Sequence, residues 1–260
     1  MLKKQGIRPL KRLGQNFLIN KGVLKTIIEA ASLSSEDTVL EIGPGTGVLT
    51  LALVERAKKI IAVEKDIRMI KVLKETLRDF KNVEIVQGDI RKLSLKIKDY
   101  KIVGNLPFYL TAPVIRKFLE LSKSQPQTMV LVVQKEVAQR ICSKPPRMNL
   151  LAVSVQFYAE PKIISYISKK SFWPQPEVDA AIIKITPTAP STGERDLFFK
   201  IVKAGFSQPR KQLINNLSKG LKMDKEEIRA WLGKNKISPT QRAETLKIED
   251  WLKLTKNCKI

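Results

Sequence analysis

The 260-residue sequence contains no histidine. That absence removes the Ser-His and Cys-His nucleophile systems and the usual zinc ligands, so any chemistry must proceed without an imidazole. Only two cysteines occur, Cys142 and Cys258. They are too far apart for a CxxC pair and too few for a disulfide framework, which fits a reducing, cytoplasmic interior. No apolar run approaches the roughly 18 residues of a membrane span. The basic start MLKKQGIRPLKRLGQNFL lacks the apolar core of a signal peptide, and no membrane partner is expected. Acids are also scarce, with 25 Asp and Glu against 48 Lys and Arg, a formal +23 spread along the whole chain. A polyanionic partner suits that balance. A solvated Lys-rich surface of the thermophile type would give the same composition, so basic residues beside specific motifs must decide.

What is present reads as one large and one small unit. Residues 1–25 carry seven Lys or Arg and no acid, and the amphipathic KGVLKTIIEAASL follows, giving a basic arm that leads into a helix. Short apolar runs then alternate with helical patterns: TVLEIG at 38–43, KIIAVE at 59–64, VEIVQGD at 83–89, KIVGN at 101–105 and TMVLVV at 128–133. That alternation predicts an α/β fold with a parallel sheet. After the helical QKEVAQRI, LLAVSVQFYA and VDAAIIKIT read as two more strands, with KIISYIS as a short segment between them, closing the sheet as an antiparallel pair. The Pro, Ser, Thr and Gly cluster from Pro187 to Asp196 marks a linker. Helical patterns fill 197–260, so a small C-terminal α-helical domain follows a sheet domain over 1–186.

VLEIGPGTGVLT places Gly43, Gly45 and Gly47 directly after the first apolar run of the sheet and before a helix, where backbone can approach a ligand closely. The GxGxG spacing is one residue short of the dinucleotide GxGxxG, which favours a ligand without a pyrophosphate. Glu64 ends the next strand, suited to accept hydrogen bonds from two ribose hydroxyls. Asp89 follows the third, suited to an adenine amino group. Singly, each carboxylate is an ordinary cap or surface charge; acids at successive parallel strand ends share one crevice.

The fourth strand delivers GNLPFYLTAP to that crevice. Asn105-Leu106-Pro107-Phe108 contains no acid, base or thiol, yet it suits one task. An exocyclic aromatic amine is a poor nucleophile because its lone pair is delocalised into the ring. The Asn105 side-chain oxygen and the Leu106 or Pro107 carbonyl can hold two N6 hydrogens and aim that lone pair, while Pro107 stiffens the turn and Phe108 stacks on the purine. An aromatic face also favours the positive charge that grows on nitrogen. The matching electrophile is the methyl of S-adenosylmethionine, whose sulfonium leaves as a neutral thioether and needs no acid. These readings together describe a class I, Rossmann-like methyltransferase sheet, mostly parallel with an antiparallel last strand. No metal is expected.

These motifs resemble, over essentially the whole chain, the ribosomal RNA adenine N6,N6-dimethyltransferases, specifically the branch modifying small-subunit RNA. KRLGQNFL is similar to that family's N-terminal cofactor lid, and LEIGPGTGVLT, AVEKD, GDI and GNLPF follow its motifs in order. The resemblance implies cofactor contacts for Asn16, Leu18, Gly43, Gly45, Glu64, Lys65, Asp89, Ile90 and Asn105. Through the aromatic-proline loop SFWPQPEVDAA it implies Phe172 as a second aromatic face on the target base. AGFSQPRKQLINNL and RAETL match in the helical, RNA-binding part. Phe108 stands where the family most often has Tyr, which excludes a hydroxyl role at that position. The implied reaction is methyl transfer to N6 of two adjacent adenosines near the 3′ end of small-subunit ribosomal RNA, by a monomer acting on a pre-30S-type particle. The basic arm around Lys11 and Arg12 and the pair Arg210-Lys211 would grip phosphates. Rival readings are the antibiotic-resistance branch acting on large-subunit RNA, methylation of DNA adenine or a glutamine amide, and a small-subunit assembly factor in which methylation is secondary.

Overall fold

The computed structural model describes residues 8–10, 13–122, 124–188 and 194–258. Lys11, Arg12 and residues 189–193 of the expected linker lie outside the described residues. The chain forms two compact units, residues up to 138 with 161–187, and residues 139–160 with 188 onward. In chain order the elements are β1 (Phe17–Leu18), α1 (Lys21–Ala31), β2 (Thr38–Ile42), α2 (Val48–Leu53), β3 (Lys59–Glu64), α3 (Ile67–Thr76), β4 (Val83–Gln87), β5 (Tyr100–Asn105) and α4 (Thr111–Arg116). They continue with β6 (Thr128–Gln134), α5 (Lys135–Ile141), α6 (Leu150–Gln156), β7 (Ala159–Ile167), β8 (Phe172–Trp173), β9 (Ala180–Pro187), α7 (Arg195–Gly205), α8 (Leu213–Leu221), α9 (Lys225–Lys234) and α10 (Ile248–Lys256).

The first unit is built on a seven-stranded sheet in the order β4-β3-β2-β5-β6-β9-β7. The five strands from β4 to β6 are parallel, and β9 runs antiparallel to β6. Every residue of β6 from Thr128 to Val133 is buried, so both faces are covered, which explains an unbroken apolar run in place of alternation. Ile27 and Ala31 of α1 and Leu49 and Leu53 of α2 join Val39, Val103, Val130 and Ile182 in one core cluster. Strand order reverses between β2 and β5. In parallel sheets that reversal opens a crevice at the carboxyl ends of the strands, because the connections leave in opposite directions.

The structure corrects two readings between the fifth strand and the linker. LLAVSVQ, whose β-branched residues suggested a strand, is helix α6. Asn149 caps it by accepting from the Ala152 N–H (3.0 Å), and Ser154 Oγ donates to the Leu150 carbonyl one turn back (2.7 Å). Its local capping chemistry overrides a weak strand propensity. The segment KIISYIS, expected as a connection, lies in β7 and pairs with β9 to complete the sheet.

In the second unit, Phe157 packs on Phe198 and Phe199 with ring centroids 4.3 and 5.3 Å away, and fully buried Trp251 packs on Phe206. Helix α8 begins at Leu213, so Arg210 and Lys211 lie in an exposed loop before the helix and not on its first turn. Buried Asn216 shapes that loop, donating through Nδ2 to the carbonyls of Gly205 (2.7 Å) and Gln208 (2.9 Å). Asn216→Ala strands both carbonyls and is expected to lower unfolding free energy by about 1–3 kcal/mol, read from the urea midpoint at unchanged slope.

Candidate active site

The crevice opens where β2 and β5 end. Register pairs Glu41 with Val103, which sets Gly43 level with Asn105. A Cβ on Gly104 would lie 2.9 Å from the Ile42 carbonyl oxygen, so only glycine lets the two strands meet this closely. Gly45 combines φ +58° with a ring edge of Phe17 that would stand 2.9 Å from any Cβ. The turn therefore needs glycine for its backbone angle and for the aromatic residue seated on it. One cavity there is lined by every cofactor-contact and catalytic position the sequence suggested: Asn16, Leu18, Gly43, Gly45, Glu64, Lys65, Asp89, Ile90, Asn105, Leu106, Pro107, Phe108 and Phe172.

Glu64 organises one wall. Its Oε2 accepts from the Gly45 N–H (3.1 Å), and its Oε1 accepts from the N–H groups of Lys65 (2.7 Å) and Asp66 (2.8 Å). Burial raises its carboxyl above the usual range, opposed by these three donors. Asp89 goes the other way. Arg91 grips it through Nε (2.9 Å) and a terminal nitrogen (2.6 Å), and Lys65 Nζ lies at 3.2 Å, holding the carboxyl well below its ordinary value. Lys65 thus enters the site as Asp89's partner. The loop carrying Asp89 and Ile90 is fastened from behind by Lys117, at the start of a π-helical turn over Lys117–Leu121. Its Nζ donates to the Ile90 carbonyl (2.6 Å) and the Leu93 carbonyl.

The opposite wall comes from the N-terminal arm. Asn105 Nδ2 donates to the Asn16 carbonyl (2.9 Å), and Gln15 reaches from the Leu10 N–H (2.8 Å) to Asp66 (2.9 Å). With Nδ2 committed, Asn105 Oδ1 is the end of the amide left to accept. The Pro107 carbonyl accepts from the Leu110 N–H (2.8 Å), which makes the Leu106 carbonyl the better second acceptor. Phe108 is half-buried. Phe172 is 4 % exposed and, in β8, pairs antiparallel with Leu18 of β1, so the arm and the aromatic-proline loop close on the cavity as one small sheet.

Among the lining residues that sequence reasoning passed over are Glu41, Gln15 and Phe17. Gln15 and Phe17 had a signal, for both lie inside the KRLGQNFL stretch. Glu41 had little, since an acid inside an apolar strand run is legible only as an oddity. It is 1 % exposed, and neither carboxyl oxygen has a hydrogen-bond partner among the described residues. Burial pushes it up to about 8; the Thr50 hydroxyl nearby opposes the shift without hydrogen-bond geometry, and the charge of Glu64 adds to it. The carboxyl oxygens around the cavity are hydrogen-bond acceptors, which suit a ligand bearing hydroxyls and amines. The adenosyl, amine and sulfonium groups of S-adenosylmethionine fit that donor set. Among the described residues no cluster of potential metal ligands occurs.

A mostly parallel sheet with a glycine turn and acidic strand ends at its switch point is the class I methyltransferase architecture, shared with solved enzymes of that kind. The chain belongs to the ribosomal RNA adenine dimethylase family, whose model matches residues 8–259. A ribosomal RNA small subunit methyltransferase A of Dehalococcoides mccartyi is 44 % identical over 263 residues, covering 98 % of this chain and 90 % of that protein. A dimethyladenosine transferase from Plasmodium falciparum superposes with a TM-score of 0.78 at 29 % identity, covering 92 % of this chain and 95 % of that one. The 23S rRNA methyltransferase ErmE superposes with a TM-score of 0.79 at 26 % identity, covering 93 % and 99 %.

Two outcomes are expected from this wall. Because the folded state favours neutral Glu41, its stabilising contribution is complete below about pH 4.5 and disappears as pH rises through about 8. Wild-type melting temperature should therefore fall relative to Glu41→Gln between pH 5 and 8, and the gap should stay constant below that window. Lys117→Met frees the Asp89 loop and should weaken S-adenosylmethionine binding by about tenfold, measured by calorimetry, with RNA affinity unchanged.

Proposed function

We propose that this chain transfers methyl groups from S-adenosylmethionine to N6 of two adjacent adenosines near the 3′ end of small-subunit ribosomal RNA, giving N6,N6-dimethyladenosine. The observation that carries the reading is the pinned amide of Asn105. Its nitrogen is committed to the Asn16 carbonyl, which leaves its oxygen to accept, and Asn105 and Leu106 both line the cavity. Two fixed acceptors hold the two hydrogens of an exocyclic amine and turn its lone pair out of the ring plane, while Pro107 limits the backbone freedom that would blur their aim. Phe108 and Phe172 supply aromatic surface for a purine, the first half-buried and accessible, the second as a rear wall. S-adenosylmethionine supplies an electrophilic methyl whose leaving group is a neutral thioether. The displaced N6 proton needs only a weak acceptor once nitrogen carries positive charge, which suits a site without histidine.

Glu64 keeps about one lone-pair site beyond those used by Gly45, Lys65 and Asp66, on Oε2, and it is assigned to a ribose hydroxyl. Asp89 and Ile90 are assigned to the adenine end of the same ligand, with Asn16, Leu18, Gly43 and Gly45 closing on it. Arg210 and Lys211, exposed on the loop that Asn216 shapes, are assigned to RNA phosphates together with the arm around Lys11 and Arg12. The substrate is a pre-30S-type particle and the enzyme a cytoplasmic monomer. The net charge of +23 suits a large polyanion, and no helix among the described residues is long and apolar enough to cross a membrane.

A 23S rRNA methyltransferase superposes as well as a dimethyladenosine transferase, so fold alone does not select the RNA; the 44 % identity to a ribosomal RNA small subunit methyltransferase favours small-subunit RNA. Incubation with radiolabelled S-adenosylmethionine and separately with naked RNA, unmethylated small subunits and large subunits should place label on adjacent small-subunit adenosines. Label on large subunits alone overturns the reading. Asn105→Ala should lower turnover by at least a hundredfold, about 3 kcal/mol of barrier, with RNA affinity nearly intact because phosphate contacts supply most of it. Wild-type turnover at saturating substrates would refute the amine-holding role.

A further inference from the structure

The assigned cofactor ligands Glu64 and Asp89 follow β3 and β4, to one side of Asn105. The other side of the same sheet edge, where β6, β9 and β7 meet, carries a group of side chains that the proposed reaction does not use. Asn105 pairs with Val132, so the chain segments that carry Phe108 and Lys135 leave the sheet from adjacent strands. Gln134 pairs with Ala180, which brings Asp179 beside Lys135. The Asp179 carbonyl accepts from the Lys135 N–H (3.0 Å), and its carboxylate accepts from the Lys169 N–H (3.0 Å). One residue therefore fastens the end of β6 to the chain leaving β7.

The stretch from β7 to β8 carries two large aromatic side chains that face solvent. Tyr166 is 52 % exposed, with Lys135 Nζ 5.4 Å from its ring centroid. Trp173 is 40 % exposed, next to a Phe172 that is buried, because side chains alternate across a strand. Phe172 points into the cavity wall and Trp173 points away. Trp231 and Trp251 are buried, so Trp173 is the tryptophan that solvent reaches. Exposed rings of this size forfeit burial energy, and beside amines and a nucleobase-sized cavity they have the composition of a single-strand stacking surface.

We infer that Tyr166 and Trp173, with Lys135 and Lys170, form a stacking platform for the unpaired RNA nucleotides flanking the adenosine that enters the cavity. The inference rests on the adenosine-methylation reading. The β3–β4 side is committed to the cofactor, so the strand approaches over the β6–β9–β7 side. Glu136 and Glu177 are also exposed here, and with the Asp179 carboxylate they offset Lys135, Lys169 and Lys170, so this stretch is close to neutral. The platform holds bases by their faces and adds little counterion release.

The test uses the full chain with a single-stranded RNA oligonucleotide bearing two adjacent adenosines, and with unmethylated small subunits. Trp173→Ala and Tyr166→Ala should each weaken oligonucleotide binding and raise KM for RNA about tenfold or more. Trp173→Phe should keep most of the affinity, and S-adenosylmethionine affinity and the salt slope of RNA binding should not move. Wild-type tryptophan fluorescence should be quenched by the oligonucleotide, and Trp173→Phe should abolish the quenching. Unchanged KM in both alanine variants, or RNA binding without quenching, overturns the platform. A reduced salt slope also overturns it, in favour of phosphate contacts. Failure of the wild type to methylate any adenosine would instead defeat the underlying function, whereas an active wild type with indifferent alanine variants defeats the platform alone.

Discussion

Three backbone N–H groups converging on the Glu64 carboxylate hold the site together. Gly45 belongs to the turn after β2, and Lys65 and Asp66 to the turn after β3. One buried side chain thus ties two loops together, beside the Gly43 N–H that donates to the Val63 carbonyl (3.0 Å). The cost is burial of a carboxylate, and charge-assisted bonds to backbone donors are among the few interactions strong enough to offset it. Everything further out follows from that lock. Asp66 is placed to cap α3 and to accept from Gln15, Gln15 ties down the arm, and the arm's Asn16 carbonyl fixes the amide of Asn105.

The three carboxyls around the cavity are sorted by environment. Glu41, fully buried and without a hydrogen-bond partner among the described residues, favours its neutral form. Glu64, buried but rich in donors, is raised. Asp89, at the rim between Arg91 and Lys65, is held ionised. Moving from β2 outward to β4, negative charge becomes progressively easier to hold, because solvent and cations replace apolar walls. A ligand with a polar, hydroxylated middle and a neutral aromatic end lies naturally along such a gradient, and a polyphosphate does not.

On the proposed reading, the tetrapeptide at the end of β5 accounts for group transfer by a chain without histidine. Its contribution is position. An amide oxygen and a carbonyl are held by neighbours whose own bonds are already satisfied, so little reorganisation is left for the moment of reaction. The amine-holding geometry therefore depends on an N-terminal arm 89 residues away in sequence, which no local pattern at Asn105 discloses.

Sequence by itself determined the alternation of apolar runs and helices, hence the parallel sheet. It also determined the glycine turn, the acids at strand ends and the NLPF motif, because all of these are local patterns with local physical causes. It misjudged residues 150–156, where β-branched composition outweighed a cap at Asn149 that only the bonded structure makes evident, and it passed over β7, whose half-exposed edge position gives a weak alternation. Tertiary structure alone decided which partners complete each polar group. Glu41 inside β2 is left without a hydrogen-bond partner among the described residues, Lys65 is drawn to Asp89, Lys117 reaches back to the Ile90 carbonyl, and Phe172 is buried while Trp173 faces water. Such contacts join residues distant in the chain, and their energies depend on burial and approach angle, quantities that exist only once the sheet has assembled.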